Sequence, residues 1–83
     1  MSEQIPLRCL GTGERGKVSA VNASDAMHRR FLDIGLAKGT EVCCLFRAPC
    51  GDPTAYSIRG AVIAIRERDA GDVLVSPISG ERA

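Results

Sequence analysis

A helical pattern of apolar residues lies near the centre of the chain and ends at a glycine. Met27, Phe31 and Ile34 recur at the spacing that places side chains on one face of an α-helix. The residues between them are mostly polar or charged, so the predicted helix is amphipathic. We expect Gly35 to end it, because many helices close with a left-handed residue that glycine adopts without strain, and Leu36 to fold back onto the last turn.

Alternating apolar and polar residues predict short strands on both sides of this helix. The predicted strands lie at 7–10, 17–21, 40–48, 56–65 with a bend or turn at Gly60, and 72–75. In the stretch 40–48, the alternation places Val42, Cys44 and Phe46 on one side of the strand. Ser24 is the expected N-cap of the central helix, and the polar stretch 66–71 predicts a single helical turn.

The predicted elements make a mainly β fold. An 83-residue chain has room for one small domain, so we assign 1–83 to a single domain and 76–83 to a flexible tail. About five short strands, one helix and many glycine turns indicate a small curled sheet or barrel with one inserted amphipathic α-helix.

The net charge and the hydropathy of the chain limit which classes of partner and which cellular location we expect. The formal net charge is +1, whereas phosphate binding needs clustered lysine and arginine, so nucleic acid is not an expected partner. No run approaches the roughly 18 apolar residues of a membrane-spanning helix. The first residues do not resemble a secretory signal either, and we therefore expect a cytoplasmic protein.

Four cysteines raise the question of disulfides or metal ligands. Without a secretory signal or regular spacing, reduced thiols are the favoured interpretation. Cys43 and Cys44 are adjacent in a predicted strand and so point to opposite faces, where they cannot share an ion. Cys44 is in register with Val42 and is predicted to be a small core hydrophobe, as is Cys9.

Three other residues are candidate metal ligands: Cys50, Asp52 and His28. A thiol, a carboxylate and an imidazole suit a divalent transition metal such as zinc or ferrous iron. No short spacing fixes them together, so structural thiols remain the alternative interpretation. We predict that any ion lies at the surface, with too few ligands from one chain, and that no cofactor is required.

Two groups of residues partly match catalytic or nucleotide-binding motifs. Gly11, Gly13 and Gly16 match the pattern G-x-G-x-x-G, and the stretch from Gly11 to Lys17 matches the phosphate-loop pattern G-x-x-x-x-G-K. However, Val18 replaces the hydroxyl residue that binds magnesium, and a strand follows in place of a helix. A thiol nucleophile formed by Cys50 with the single histidine lacks a local oxyanion arrangement. The sequence therefore predicts a protein that is not an enzyme.

Taken together, five stretches resemble the FeoA family, also called ferrous iron transport protein A. They are Gly-x-x-Gly-x-Val at 13–18, the specific run at 30–42, and the stretches 48–53, 58–60 and 63–75. The resemblance implies an SH3-like barrel of about five strands with a helical insertion. It also implies a cytoplasmic partner of FeoB, the membrane ferrous iron transporter, and contact with the membrane only through that transporter.

On this resemblance we predict an accessory module of ferrous iron uptake that binds and modulates the transporter. Its candidate contact residues are a leucine and a basic surface at the helix end, formed by Arg29, Arg30, Leu36 and Lys38. A weak homo-oligomer is compatible with this hypothesis. The alternatives are a surface metal sensor or carrier, and a stand-alone regulatory domain like that of metal-dependent repressors, although no DNA-binding helix-turn-helix precedes it.

Overall fold

The computed structural model describes residues 4–78 as one antiparallel sheet with two helices. The elements are β1 (Ile5–Pro6), β2 (Arg15–Val21), α1 (Asp25–Asp33), β3 (Glu41–Arg47), β4 (Thr54–Ile58), β5 (Ala61–Ile65), α2 (Glu67–Ala70) and β6 (Val73–Ile78). The strand order is β1-β6-β2-β3-β4-β5. This confirms the mainly β fold with an inserted amphipathic helix. Six strands are present where about five were expected, because the predicted stretch 56–65 forms two strands, β4 and β5.

One hydrophobic core lies inside this sheet. Side chains from strands at both ends of the strand order, Ile5 and Ile65, pack on the same cluster, so the sheet curls around it. The largest fully buried side chains are Tyr56, Leu7, Leu10, Leu36, Ile58, Val18, Val42, Val73, Val75 and Cys44. Cys44 thus lies in the core as predicted.

Helix α1 begins and ends where its sequence indicates. The Ser24 hydroxyl accepts the Met27 backbone N–H at 3.4 Å, which confirms the N-cap. At the other end, Gly35 has φ +93°, and its N–H donates to the Leu32 carbonyl at 3.0 Å. The Leu36 N–H donates to the carbonyl of Phe31 at 2.8 Å, which completes a Schellman motif.

Strand β3 contains a bulge that changes which of its residues face the core. Cys44 pairs with Tyr56, but Phe46 pairs with Ala55, so Leu45 is an extra residue on this strand. The alternation therefore changes phase, and Phe46 is 58% exposed. The prediction that Phe46 shares the face of Val42 and Cys44 is wrong for this reason.

The predicted strand at 7–10 is a single 3-10 turn, Leu7–Cys9, which follows β1. With three residues per turn, Leu7 and Leu10 point the same way, and both are fully buried. Cys9 lies on the other side and is exposed. The prediction that Cys9 belongs to the core is therefore wrong.

Strand β6 is longer than its apolar residues indicated. It continues through Ser76, Pro77 and Ile78, because β2 begins at Arg15 and offers pairing partners to all three. The predicted tail therefore starts too early, and its remaining part, 79–83, lies outside the described residues.

The last hairpin and helical turn match the prediction. A two-residue turn of Arg59 (φ +51°) and Gly60 (φ +85°) joins β4 to β5, which suits the hairpin turn with two left-handed residues. The predicted helical turn is α2, Glu67–Ala70. Within residues 4–78, neither helix is long and apolar enough to cross a membrane.

Candidate partner-binding site

A groove of about 400 Å³ lies between α1, strand β5 and α2. Its apolar lining comes from α1 and β5: Met27, Phe31, Ile34, Ile63, Ala64 and Ile65. Its charged lining consists of Arg30, Arg66, Arg68 and Asp69. The groove thus combines an apolar floor with a rim that carries three positive charges and one negative charge.

The sequence builds this floor because the apolar stripe of α1 is wider than the part the core covers. Phe31, in the middle of the stripe, is buried at 3% exposure. Met27 and Ile34, at its two ends, remain half-buried, as does Ile63 on β5. An apolar side chain from another molecule could therefore remove further surface from water here.

No ion pair among residues 4–78 involves the arginines of the rim. Among residues 4–78, the ion pairs are Arg8 with Glu67 at 3.6 Å and Arg15 with Glu41 at 2.6 Å. Arg30, Arg66 and Arg68 belong to neither pair. A planar guanidinium binds carboxylates in a bidentate way, so this rim favours an acidic ligand.

Of the four residues predicted to contact the transporter, three lie at the surface and one lies in the core. Arg29, Arg30 and Lys38 are exposed, as a docking surface requires, whereas Leu36 is 0% exposed. The assignment of Leu36 to a contact surface is therefore wrong, because the Schellman motif turns it inward. The exposed leucine of this helix is Leu32, at 50% exposure, which lies one position off the stripe that includes Phe31.

Sequence reasoning missed an apolar patch on the outer face of the sheet. Phe46, Ala55 and Ala64 form a row across β3, β4 and β5, and Val62 neighbours this row at 67% exposure. The charge-free stretch 61–65 was the available indication, because an exposed strand usually carries polar residues on one face.

The candidate metal ligands are only partly brought together. The Cys50 thiol donates to the Asp52 backbone carbonyl at 3.0 Å, while an Asp52 carboxylate oxygen accepts the Glu67 N–H at 2.8 Å and caps α2. His28 lies on helix α1. Within the part of the chain that the structure describes, no three metal-ligating side chains gather.

Two ionisable groups with shifted pKa values lie in the core. Burial raises the pKa of Tyr56 to about 12. Burial likewise raises the pKa of the Cys44 thiol, with nearby Arg47 opposing it. A thiol with a raised pKa stays protonated at neutral pH and is a weak nucleophile, so Cys44 is structural.

Comparison with known proteins identifies the family. A family model described as the FeoA domain matches residues 5–77. Comparison with the curated proteins gave no match.

Solved structures share the fold. FeoA from Chlorobium tepidum is 32% identical with a TM-score of 0.87, over 94% of this chain and 74% of that one. FeoA from Stenotrophomonas maltophilia, complexed with zinc and described as a prokaryotic SH3 domain protein, is 30% identical with a TM-score of 0.74, over 84% and 87%. A manganese-dependent transcriptional repressor is 20% identical with a TM-score of 0.83, over 94% and 44%, and so shares the fold alone.

These likenesses confirm the predicted SH3-like barrel. The family model spans nearly all of the residues that the structure describes. The chain therefore belongs to the FeoA family, whose members are associated with ferrous iron transport.

Proposed function

We propose that this protein is a non-enzymatic cytoplasmic accessory of ferrous iron uptake that binds and modulates a FeoB-type membrane transporter. The observation that carries the proposal is the apolar groove with its arginine rim, on a chain of the FeoA family. The S. maltophilia relative is described as a candidate ferrous iron transport activating factor, which supports the same role here.

The groove suits protein binding better than small-molecule chemistry. Its apolar floor offers area to bury, and its three arginines offer charge for selecting a partner and speeding the encounter. A cytoplasmic segment of the transporter that presents apolar and acidic side chains would complement both. Such a contact would couple this protein to transport without any chemical step of its own.

Co-purification with the transporter tests the proposal. A tagged FeoB-type transporter in detergent should retain the parent protein, with and without guanine nucleotide, and should lose most of it at high salt because screening weakens the charge contacts. Deleting the protein should change ferrous iron uptake by cells. A transporter that never retains the parent protein at any salt concentration contradicts the proposal.

A surface metal site is the second candidate, favoured by the zinc complex of the S. maltophilia relative and by the exposed Cys50 thiol. The ion would lie between protomers, since within the described residues of one chain Cys50, Asp52 and His28 do not gather into a group of three ligands. Zinc titration of the reduced protein should show weak binding that Cys50→Ser abolishes. Cys9→Ser, at another exposed thiol, is the matched control and should leave it unchanged. Equal losses in both variants would contradict this assignment.

A further inference from the structure

Among residues 4–78, strand β5 has one unpaired edge. Within this part of the chain it lies at the end of the strand order and pairs only with β4. Because a two-residue turn joins the two strands, the residues that flank the turn exchange both hydrogen bonds, and every second pair after them does so too. These hydrogen-bonded pairs are Ile58–Ala61, Tyr56–Ile63 and Thr54–Ile65.

The residues between those pairs point their backbone groups the other way. Val62 and Ala64 therefore direct their N–H and C=O groups away from β4, toward the open edge. Within residues 4–78, these groups make no backbone hydrogen bond with another element. Ordinary edge strands are protected by charged side chains, proline or bulges, whereas Ala61–Ile65 has none of these.

The open edge borders the groove. Ile63, Ala64 and Ile65 line it from β5, and α1 lines it from the opposite side. In a strand added beside β5, alternate side chains would face the apolar floor at Ile63, because side chains alternate across a sheet. The end of that strand beside Ile65 would reach the level of Arg66, which follows β5, and of Arg68 on α2.

We propose that the β5 edge accepts an extended acidic peptide segment of a partner protein, which adds to the sheet as a further strand. Its backbone pairs with Val62 and Ala64, an apolar side chain enters the groove, and flanking carboxylates contact the arginine rim. The inference depends on the proposed function only for which protein supplies the segment.

Charge favours this occupant over a second copy of the chain. Each copy would bring its own Arg30, Arg66 and Arg68 against only one Asp69, so pairing of two β5 edges gathers like charges. Like charges at an interface oppose association, whereas an acidic strand neutralises them.

A synthetic peptide provides the direct test. The probe is acetyl-Glu-Glu-Thr-Leu-Thr-Glu-Glu-amide, and the control peptide has lysine in place of each glutamate. The acidic peptide should shift the Val62 and Ala64 amide resonances and protect both amides from hydrogen exchange. The lysine peptide should bind at least about tenfold more weakly. Absence of these shifts at millimolar peptide, or shifts confined to another surface, would overturn the inference.

Two matched pairs of variants locate the contact. Ala64→Pro removes the outward N–H without removing a bond to β4, while Ala64→Ser keeps that N–H. Arg30→Glu reverses a charge that lines the groove, whereas Arg29→Glu makes the same change one residue away and outside it. Ala64→Pro and Arg30→Glu should each weaken peptide binding about tenfold, and their controls less than about twofold.

The variants and the oligomeric state separate this site from the alternatives. If Ala64→Pro fails to fold, as judged by its amide spectrum, the arginine pair decides, and equal effects of Arg29→Glu and Arg30→Glu overturn the inference. Concentration-dependent protection of Val62 without peptide, with a dimer in sedimentation, also overturns it in favour of a second copy. A transporter that retains the parent and Arg30→Glu equally well leaves the proposed function standing and removes this site.

Discussion

The end of helix α1 and strand β5 are both short apolar stretches, but they differ in how far their backbone groups are hydrogen-bonded and their side chains are buried. At the helix end, Gly35 and Leu36 donate their N–H groups to carbonyls of the last turn, and Leu36 is fully buried. On β5, the outward backbone groups of Val62 and Ala64 have no backbone partner among the described residues, 4–78, and Val62 is 67% exposed.

This difference separates stability from association. Burial and paired backbone groups make the helix end a contributor to folding free energy, so substitutions there should lower the melting temperature. Exposed side chains and an open edge contribute little to folding but can bind other chains. Substitutions on β5 should therefore change association more than melting.

The largest expected effect is that of Leu36→Ala. Truncating a fully buried leucine lowers the free energy of unfolding by about 3 kcal/mol, through lost apolar burial and the cavity left behind. For a domain of this size, the melting temperature should fall by more than about 10 °C. Leu32→Ala makes the same change at a half-exposed leucine of α1 and should shift melting by only a few degrees. Equal shifts in the two variants would mean that Leu36 is not the residue holding the helix end to the core.

The next effect is a loss of stability at high pH that arises from Tyr56. Burial raises its pKa to about 12, from a usual value of 10.0. Between these values the native state keeps a proton that the unfolded chain releases, so stability is fully present below pH 10 and falls as pH rises toward 12. Two pKa units correspond to at most about 2.7 kcal/mol.

The matched variant is Tyr56→Phe, which removes the phenol and keeps the ring. Its unfolding free energy should fall less steeply than the parent's over the same pH range, while any contribution from Cys44 remains in both proteins. Parallel curves from urea titrations at several pH values would show that Tyr56 is more hydrated than its burial indicates.

The contrast between the two regions also explains how much the sequence could predict. The helix end was predictable because its causes are local: an apolar stripe, a glycine at the cap position and a leucine after it. Which residues of β3 face the core after Cys44 was not predictable. The bulge at Leu45 depends on the pairing of β3 with β4, and no local sequence pattern marks it. The 3-10 turn was missed because two apolar residues three positions apart are equally compatible with a short irregular strand.

The site was only half predictable for the same reason. The basic exposed residues of α1 follow from its amphipathic pattern, and Arg30 does line the groove. The opposite wall comes from β5, which follows α1 in the chain only after β3 and β4. Periodicity gives no information on which elements meet across a core. The buried Leu36 was assigned to the surface because sequence shows which residues are apolar but not which of them remain uncovered.

A smaller effect is expected from Gly35→Ala. A left-handed φ of +93° strains a side chain there by about 1 kcal/mol, and the added Cβ would overlap Arg59, whose side chain must move. Gly39→Ala, at φ +92° with nothing near the added Cβ, is the control for backbone strain alone. Thermal melts should place Gly35→Ala below Gly39→Ala, and both below the parent. A Gly35→Ala variant as stable as the parent would show that the helix does not close on a left-handed residue.

The smallest effect on stability should come from Val62→Lys on the open edge. A mostly exposed valine contributes little buried area, so the free energy of unfolding should change by less than about 0.5 kcal/mol. Lysine on an edge strand opposes pairing with another chain, so the variant should aggregate more slowly on heating. Circular dichroism and light scattering recorded during the same thermal ramp measure melting and aggregation in one sample.

Val62→Thr is the control for this substitution, since threonine keeps the branched shape and strand preference without the charge. If aggregation proceeds through the open edge, the threonine variant should aggregate nearly as fast as the parent, and lysine should slow it while leaving melting unchanged. A Val62→Lys variant that melts several degrees lower would instead place Val62 among the residues that hold the fold together. The end of α1 and strand β5 would then both contribute to the folding free energy, and would differ only in the size of that contribution.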